Sequence, residues 1–180
     1  NNNTTDITDE INEINETDEI IDTKIKIEIN NTVTVKDNII NEIITKWNWG
    51  SIFNNESIEI FNNIYNILSL ELFKDDTFPE FKNIFNAFKF DFNNIKAVII
   101  GQDPYPTRGN ANGLAFSVTS TSKIPGSLIN IYKALVKNNL DIKFEFPKHG
   151  NLESWMEQGI LLLNTGLTVK EGNAGCHVEI

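Results

Sequence analysis

The sequence predicts an α/β fold built on a parallel strand–helix–strand unit, and three observations carry that expectation. Two short apolar runs, "IKAVII" at residues 95 to 100 and "GILLLN" at 159 to 164, have the length and composition of strands buried on both faces. Between them, "GSLINIYKALVKN" sets Leu128, Ile131, Tyr132 and Leu135 on one helical face behind Ser127 as the N-cap. A second short helix is expected in "NLESWMEQ". Two strands separated by helices pair in parallel, because the return crossing is made by the helices.

The elements upstream follow from the same periodicities. In "SIEIFNNIYNILSLELFK", Ile58, Phe61, Tyr65 and Leu68 share a helical face, the pattern of core packing. "DDTFPEF" interrupts that pattern, and "FKNIFNAFKF" resumes it as a short helix or turn bearing Phe81, Ile84, Phe85 and Phe88. Trp47, Trp49 and Trp155 read as core or rim packing. The opening thirty residues are different in kind: a repetitive Asn, Thr, Asp, Glu and Ile tract without an aromatic residue. Such a composition buries too little surface to offset its ordering entropy. Residues 1–30 are therefore expected to be a disordered acidic tail, with a helix or strand near 19 to 29 as the alternative, and residues 31–180 a folded α/β domain. The first residue is Asn rather than Met, which suggests a processed or excised N-terminus.

Composition narrows the function classes. A chain of 180 residues with 40% apolar content supports one real core. The single cysteine, Cys176, excludes an internal disulfide and a four-cysteine metal site, and points to a reducing compartment. No apolar run is long enough to span a bilayer and no secretory leader is visible, so a soluble intracellular protein is expected, in nucleus or cytoplasm. The net charge of −10 argues against a nucleic-acid partner until it is divided along the chain: residues 1 to 30 carry −7, 31 to 100 carry −3, 101 to 170 carry +2 and the last ten −2. The motif-bearing segment, 101 to 170, is the only net-positive one, which permits local phosphate contacts.

Ligand crevices in parallel α/β sheets open beyond the carboxyl ends of the strands. Both predicted strands run into polar residues there: "VIIGQDPYP" delivers Gln102 and Asp103, and "LLLNTGLT" delivers Asn164. Gly101 allows close backbone approach, while Pro104 and Pro106 stiffen the turn carrying Asp103 and Tyr105. A carboxylate and a carboxamide meeting at one rim predict a ligand or catalytic site; the alternative is that both side chains cap turns.

Five ordered blocks, "GQDPYP" at 101 to 106, "NGLAFSV" at 112 to 118, "IPGSLINIYKAL" at 124 to 135, "HGNLESWMEQGILLLNTGLTV" at 149 to 169 and "NAGCH" at 173 to 177, resemble the family 1 uracil-DNA glycosylases. The resemblance covers residues 95 to 177 and extends loosely back to Trp47. It implies a three-layer α/β/α domain with a short parallel central sheet, incomplete at its C-terminal end. It also implies base-excision repair chemistry without metal or cofactor: hydrolysis of the bond between uracil and deoxyribose in single- or double-stranded DNA by a monomer that flips the nucleotide out of the stack.

Carried over by residue, Asp103 is the catalytic acid that positions water and stabilises an oxocarbenium-like sugar. Backbone groups around Gln102 contact a uracil oxygen, and Phe116 stacks on the base. Asn164 pairs with its N3 and O4 edge, and Tyr105 fills the space where thymine carries a methyl. Pro125, Gly126 and Ser127 match a phosphate-holding loop at a helix start. His149 is expected to order its loop, and His177 beside Cys176 makes no metal site.

Two departures are expected to matter. Pro106 stands where most members carry a His that helps orient water, leaving that task to Asp103 and the backbone. The chain also ends before the family's remaining third, which supplies two more strands, a Gly-Ser phosphate loop, a catalytic His and a wedging Leu. On that resemblance the 180 residues are part of a longer enzyme, unstable and nearly inactive alone, with a strand edge unpaired and apolar surface exposed. The alternative function is a non-catalytic module that binds DNA or a replication protein, with the acidic tail as the contact.

Overall fold

The computed structural model describes residues 39, 41 to 61, 63, 75 to 138 and 145 to 178. The chain separates into Asn1–Glu42 and Ile43–Ile180, and the account below concerns the second unit. The expected tail at 1–30 lies outside the described residues, as do Tyr65 and Leu68.

Among the described residues are β1 (Thr77–Phe78), β2 (Ala97–Gly101), α1 (Gly126–Lys137), α2 (Glu153–Glu157), β3 (Ile160–Asn164) and β4 (Val169–Lys170). β2 and β3 pair in parallel, with Ala97 opposite Ile160 and Gly101 opposite Asn164. α1 and α2 occupy the crossover, as the strand–helix–strand pattern requires. β1 and β4 form a separate antiparallel pair, Thr77 opposite Lys170 and Phe78 opposite Val169. "FKNIFNAFKF" is resolved into two 3-10 turns, Phe81–Asn83 and Asn86–Phe88. Residues 55 to 61 are helical.

Apolar side chains gather from distant parts of the sequence. Leu114, Ala115, Val118, Leu128, Tyr132, Leu152, Leu161, Leu162 and Val169 are buried. A second group is aromatic: Trp49 meets Phe88 edge-on at a centroid separation of 5.1 Å and Phe92 at 5.3 Å, and its indole N–H donates to Phe90 O at 3.0 Å. Trp155 packs against Tyr132 at 6.1 Å. Trp49 and Trp155 thus pack as expected, whereas Trp47 is half-buried with Lys46 Nζ 4.9 Å from its ring and its indole N–H lacks an acceptor.

Three expectations are corrected. The first strand is not buried on both faces: Val98 is 53% and Ile100 62% exposed, because among the described residues β2 pairs only with β3. β3, with Leu161 and Leu162 buried, keeps the predicted character. Ser127 is not the N-cap of α1. Pro125 occupies that place, and Ser127, one residue inside the helix, turns its hydroxyl to Tyr105 instead. On the predicted face of α1, Leu128 and Tyr132 are buried but Leu135 is exposed, as is its neighbour Val136.

The asymmetry of the two strands has a measurable consequence. Leu162→Ala, at a position with no exposed surface, is expected to lower unfolding stability by about 2–5 kcal/mol. Val98→Thr on the open face of β2 should change it by less than about 0.5 kcal/mol. Urea denaturation of the two variants beside the parent reads both.

Candidate active site

The site is assembled where β2 and β3 end together. Their register sets Gly101 directly opposite Asn164. A Cβ on Gly101 would overlap Asn164 Oδ1 and crowd Ala115, so glycine is what lets the carboxamide fold across the strand end. Asn164 is 7% exposed, and its Oδ1 is buried without a hydrogen-bond partner. An orphaned buried carbonyl oxygen is costly, and such exceptions mark places where a ligand supplies the missing donor.

Beyond Gly101 the chain turns through Gln102–Pro106, and the turn is held from two sides. Thr165 N donates to Gly101 O at 3.0 Å, Gly166 N to Gln102 O at 2.8 Å, and Thr165 Oγ1 to Gln102 O at 2.8 Å. On the other side Gly172 N donates to Pro106 O at 2.9 Å and Gly175 N to Asp103 Oδ2 at 2.6 Å. The side chain of Gln102 is exposed; its carbonyl is committed to these turn contacts.

Phe116 stands beside the same strand ends, since Ala115 N donates to Leu162 O at 3.1 Å. Its φ is +61°, a left-handed conformation that bulky residues rarely adopt and that costs about 1–3 kcal/mol. The loop enforces it through buried bonds. Asn112 Nδ2 donates to Ser117 Oγ at 2.9 Å, Leu114 N donates to Asn112 Oδ1 at 3.3 Å, and Ser117 Oγ accepts from Leu152 N at 2.9 Å. Outliers of this kind collect at functional sites, where surrounding structure over-determines them.

Tyr105 links this wall to the start of α1. Its hydroxyl donates to Phe116 O at 3.3 Å and shares a 2.7 Å bond with Ser127 Oγ. Gly126 and Ser127 are exposed, with open space around Gly126, and the first-turn amides of α1 have no partner within the helix. Tyr105, Phe116 and Ser127 are thus joined by direct bonds, while Asn164 stands opposite Gly101 and Asp103 follows two residues after Gly101. His149 orders its loop through the backbone, its carbonyl accepting from Tyr132 Oη at 3.1 Å. His177 Nδ1 lies 2.9 Å from Thr168 Oγ1. No group of three His, Cys, Asp or Glu side chains among the described residues could hold a metal ion. A cleft of about 540 Å³ between Phe78, Arg108 and Thr119 is lined by none of the predicted site residues.

Sequence reasoning did not assign Thr165, Gly166, Gly172 or Gly175, all of which grip the Asp103 turn. Thr165, Gly166 and Gly175 lie in blocks that carried the family likeness, and Gly172 and Gly175 adopt φ of +71° and +79°.

Two outcomes follow from this geometry. Gly101→Ala should lower stability by about 1–3 kcal/mol through overpacking. Most of that loss should vanish in an Asn164→Ala background, read as the coupling in a double-mutant denaturation cycle. Burial raises the phenol pKa of Tyr105 above its ordinary 10.0, with the Ser127 bond acting in the opposite direction. Burial also raises that of Tyr132, and the charge of Tyr105 raises it further. The folded state therefore holds these protons more tightly than the unfolded chain. Their contribution to stability is complete below pH 10 and declines as pH rises through the folded-state values. Thermal denaturation across that alkaline range should show a shallower decline in Tyr105→Phe than in the parent.

No protein-family model matches the chain. Among curated proteins, it is 53% identical over 102 residues to the uracil-DNA glycosylase of Vibrio campbellii, a match covering 56% of this chain and 44% of that protein. To the uracil-DNA glycosylase of Dichelobacter nodosus it is 54% identical over 105 residues, covering 58% and 45%. The chain thus spans less than half the length of these relatives. Among solved structures it is similar to mimivirus uracil-DNA glycosylase, with a TM-score of 0.60 and 30% identity, over 73% of this chain and 50% of that one. In sequence over those matched residues, and in an open α/β fold with a small parallel sheet, the chain is homologous to the uracil-DNA glycosylases.

Proposed function

We propose that the chain carries the base-reading and water-positioning part of an enzyme that removes uracil from DNA, a step of base-excision repair. The observation that carries this reading is the placement of Asp103, two residues past the end of β2, and Asn164, the last residue of β3, at adjoining strand ends, with Asn164 Oδ1 buried and unpartnered. A binding module would not need a carboxylate beside the carboxamide.

In this reading the uracil nucleotide is extruded from the stack and enters between Phe116 and Asn164. Asn164 Oδ1 accepts from uracil N3–H and its amide donates to O4, satisfying the orphaned oxygen. Cytosine presents the reverse order, an acceptor at N3 and a donor at C4, and leaves both partners mismatched. The Tyr105 ring closes the space beside C5, so thymine is rejected by its methyl group. Phe116 lies on the base face, indifferent to base identity but requiring an unstacked base. Ser127, with Pro125 and Gly126 at the start of α1, holds a phosphate of the extruded nucleotide. The Ser127–Tyr105–Phe116 bonds tie that phosphate contact to the walls of the base pocket.

The reaction breaks the bond between C1′ and N1, and the electron pair leaves on uracil N1. Positive charge develops on the sugar, and the ionised Asp103 carboxylate stabilises it. Water oriented by the same carboxylate then bonds to C1′ and gives up one proton to solvent, the uracil N1 anion takes a proton from solvent, and the products are free uracil and an abasic sugar. Pro106 offers no donor, so orientation of the water falls to Asp103 and backbone groups.

Residues 31–180 form the glycosylase-like unit in this reading. The acidic residues 1–30 suit a basic surface such as that of a replication protein. All the named groups come from one chain, which fits action as a monomer on single- or double-stranded DNA, within the nucleus or cytoplasm.

Uracil release from a single-stranded uracil-containing oligonucleotide, with the whole product of the reading frame, tests the proposal. Asp103→Asn is expected to lower kcat by about 10²–10³-fold with the fold intact. DNA binding without any uracil release by the parent would instead identify a non-catalytic module.

A further inference from the structure

We infer that the backbone N–H of Gly175 is the positioning group that sets the orientation of the Asp103 carboxylate. The inference rests on the reading of Asp103 as the water-handling residue and deepens it. Pro104 and Pro106 fix the backbone around Asp103, but the terminal torsion of an Asp side chain is broad and roughly two-fold. Something outside the turn must choose its angle. Pro104 and Pro106 have neither an N–H nor a polar side chain to offer, and the Tyr105 hydroxyl is bonded to Phe116 O and Ser127 Oγ.

The Gly175 amide does this from 72 residues away, at 2.6 Å from Asp103 Oδ2. A backbone N–H donating to a carboxylate oxygen is a bond of the charge-assisted kind. Oδ1 makes no hydrogen bond with any described residue. The two oxygens are therefore unequal: Oδ2 is held, and Oδ1 is left to water and substrate.

The donor is itself held in place. Asn173 N donates to Lys170 O at 3.1 Å, Lys170 N donates to Cys176 Sγ at 3.2 Å, and Val178 N donates to Gly175 O at 3.1 Å. Thr168 Oγ1 and His177 Nδ1 lie 2.9 Å apart just beyond. The turn is thereby tied to β4, and β4 pairs with β1. Gly175 adopts φ +79°, so a side chain there would rotate the N–H away from Asp103. The space around it forbids little, because a Cβ would meet only the end of the Gln102 side chain at 3.1 Å.

Two measurements on the full chain decide the matter. In a ¹⁵N-labelled sample the Gly175 amide proton is expected far downfield, and it should move upfield in Asp103→Asn more than any other backbone amide. An unmoved Gly175 resonance overturns the inference. In uracil release, Gly175→Ala is expected to lower kcat on the order of 10- to 100-fold with KM held within about two-fold. Gly109→Ala serves as the matched control, since Gly109 has a φ of +78° and open space around it but no contact with Asp103. Equal kcat in the two glycine variants also overturns the inference while leaving the glycosylase reading intact. The resonance is read without DNA. A Gly175 amide that responds to Asp103→Asn in a protein releasing no uracil would uphold the contact and sink the glycosylase reading instead.

Discussion

The parallel register of β2 and β3 is the constraint on which the rest of the site depends. It sets Gly101 against Asn164, and the missing Cβ of Gly101 is what leaves room for the carboxamide. A slip of one residue would send Asn164 to the opposite face and bring Ile100 against the polar rim, because side chains alternate along a strand. The same register places the residues after Gly101, Gln102 to Tyr105, next to the residues after Asn164. Backbone bonds from Thr165 and Gly166 can then close the turn. One ladder thus fixes the Asn164 carboxamide and the turn that carries the Asp103 carboxylate together.

Around that ladder the site uses rigid backbone more than side-chain pairs. Gly166, Thr165, Gly172 and Gly175 all hold the Asp103 turn with main-chain N–H groups, which have little freedom to lose. The strain at Phe116 is sustained in the same manner, by the buried Asn112–Ser117–Leu152 bonds. Such a site is pre-organised before any ligand arrives, which is the condition for electrostatic stabilisation of a transition state in a pocket. Within the site, the unpartnered buried polar atom is Asn164 Oδ1.

β2 shows the opposite economy. Its Val98 and Ile100 face solvent in a strand whose sequence is that of a buried one. β-branched residues suit a strand whichever face is covered, so the ladder forms with β3 even though part of its apolar surface is left open. The relatives are more than twice as long as the segment they share with this chain. Burial of β2 is thus one property on which sequence pattern and described structure disagree.

Local patterns in the sequence determined the α/β class, the two parallel strands, the crossover helices and the rim that holds Asp103 and Asn164. Those features follow from apolar run length, helical spacing and the polar residues just past each run, all of which act within a few residues along the chain. The ordered blocks around Asp103, Phe116, Ser127 and Asn164 also carried the family likeness. Tertiary structure alone decided that Ser127 serves Tyr105 rather than capping α1, that β2 is exposed, that Phe116 is strained, and that Gly175 reaches Asp103. Each of these depends on contacts between segments far apart in the chain, 22 residues for Tyr105 and Ser127 and 72 for Asp103 and Gly175. No periodicity encodes such a meeting, because it is set by how the elements pack and not by the propensities of the residues that meet.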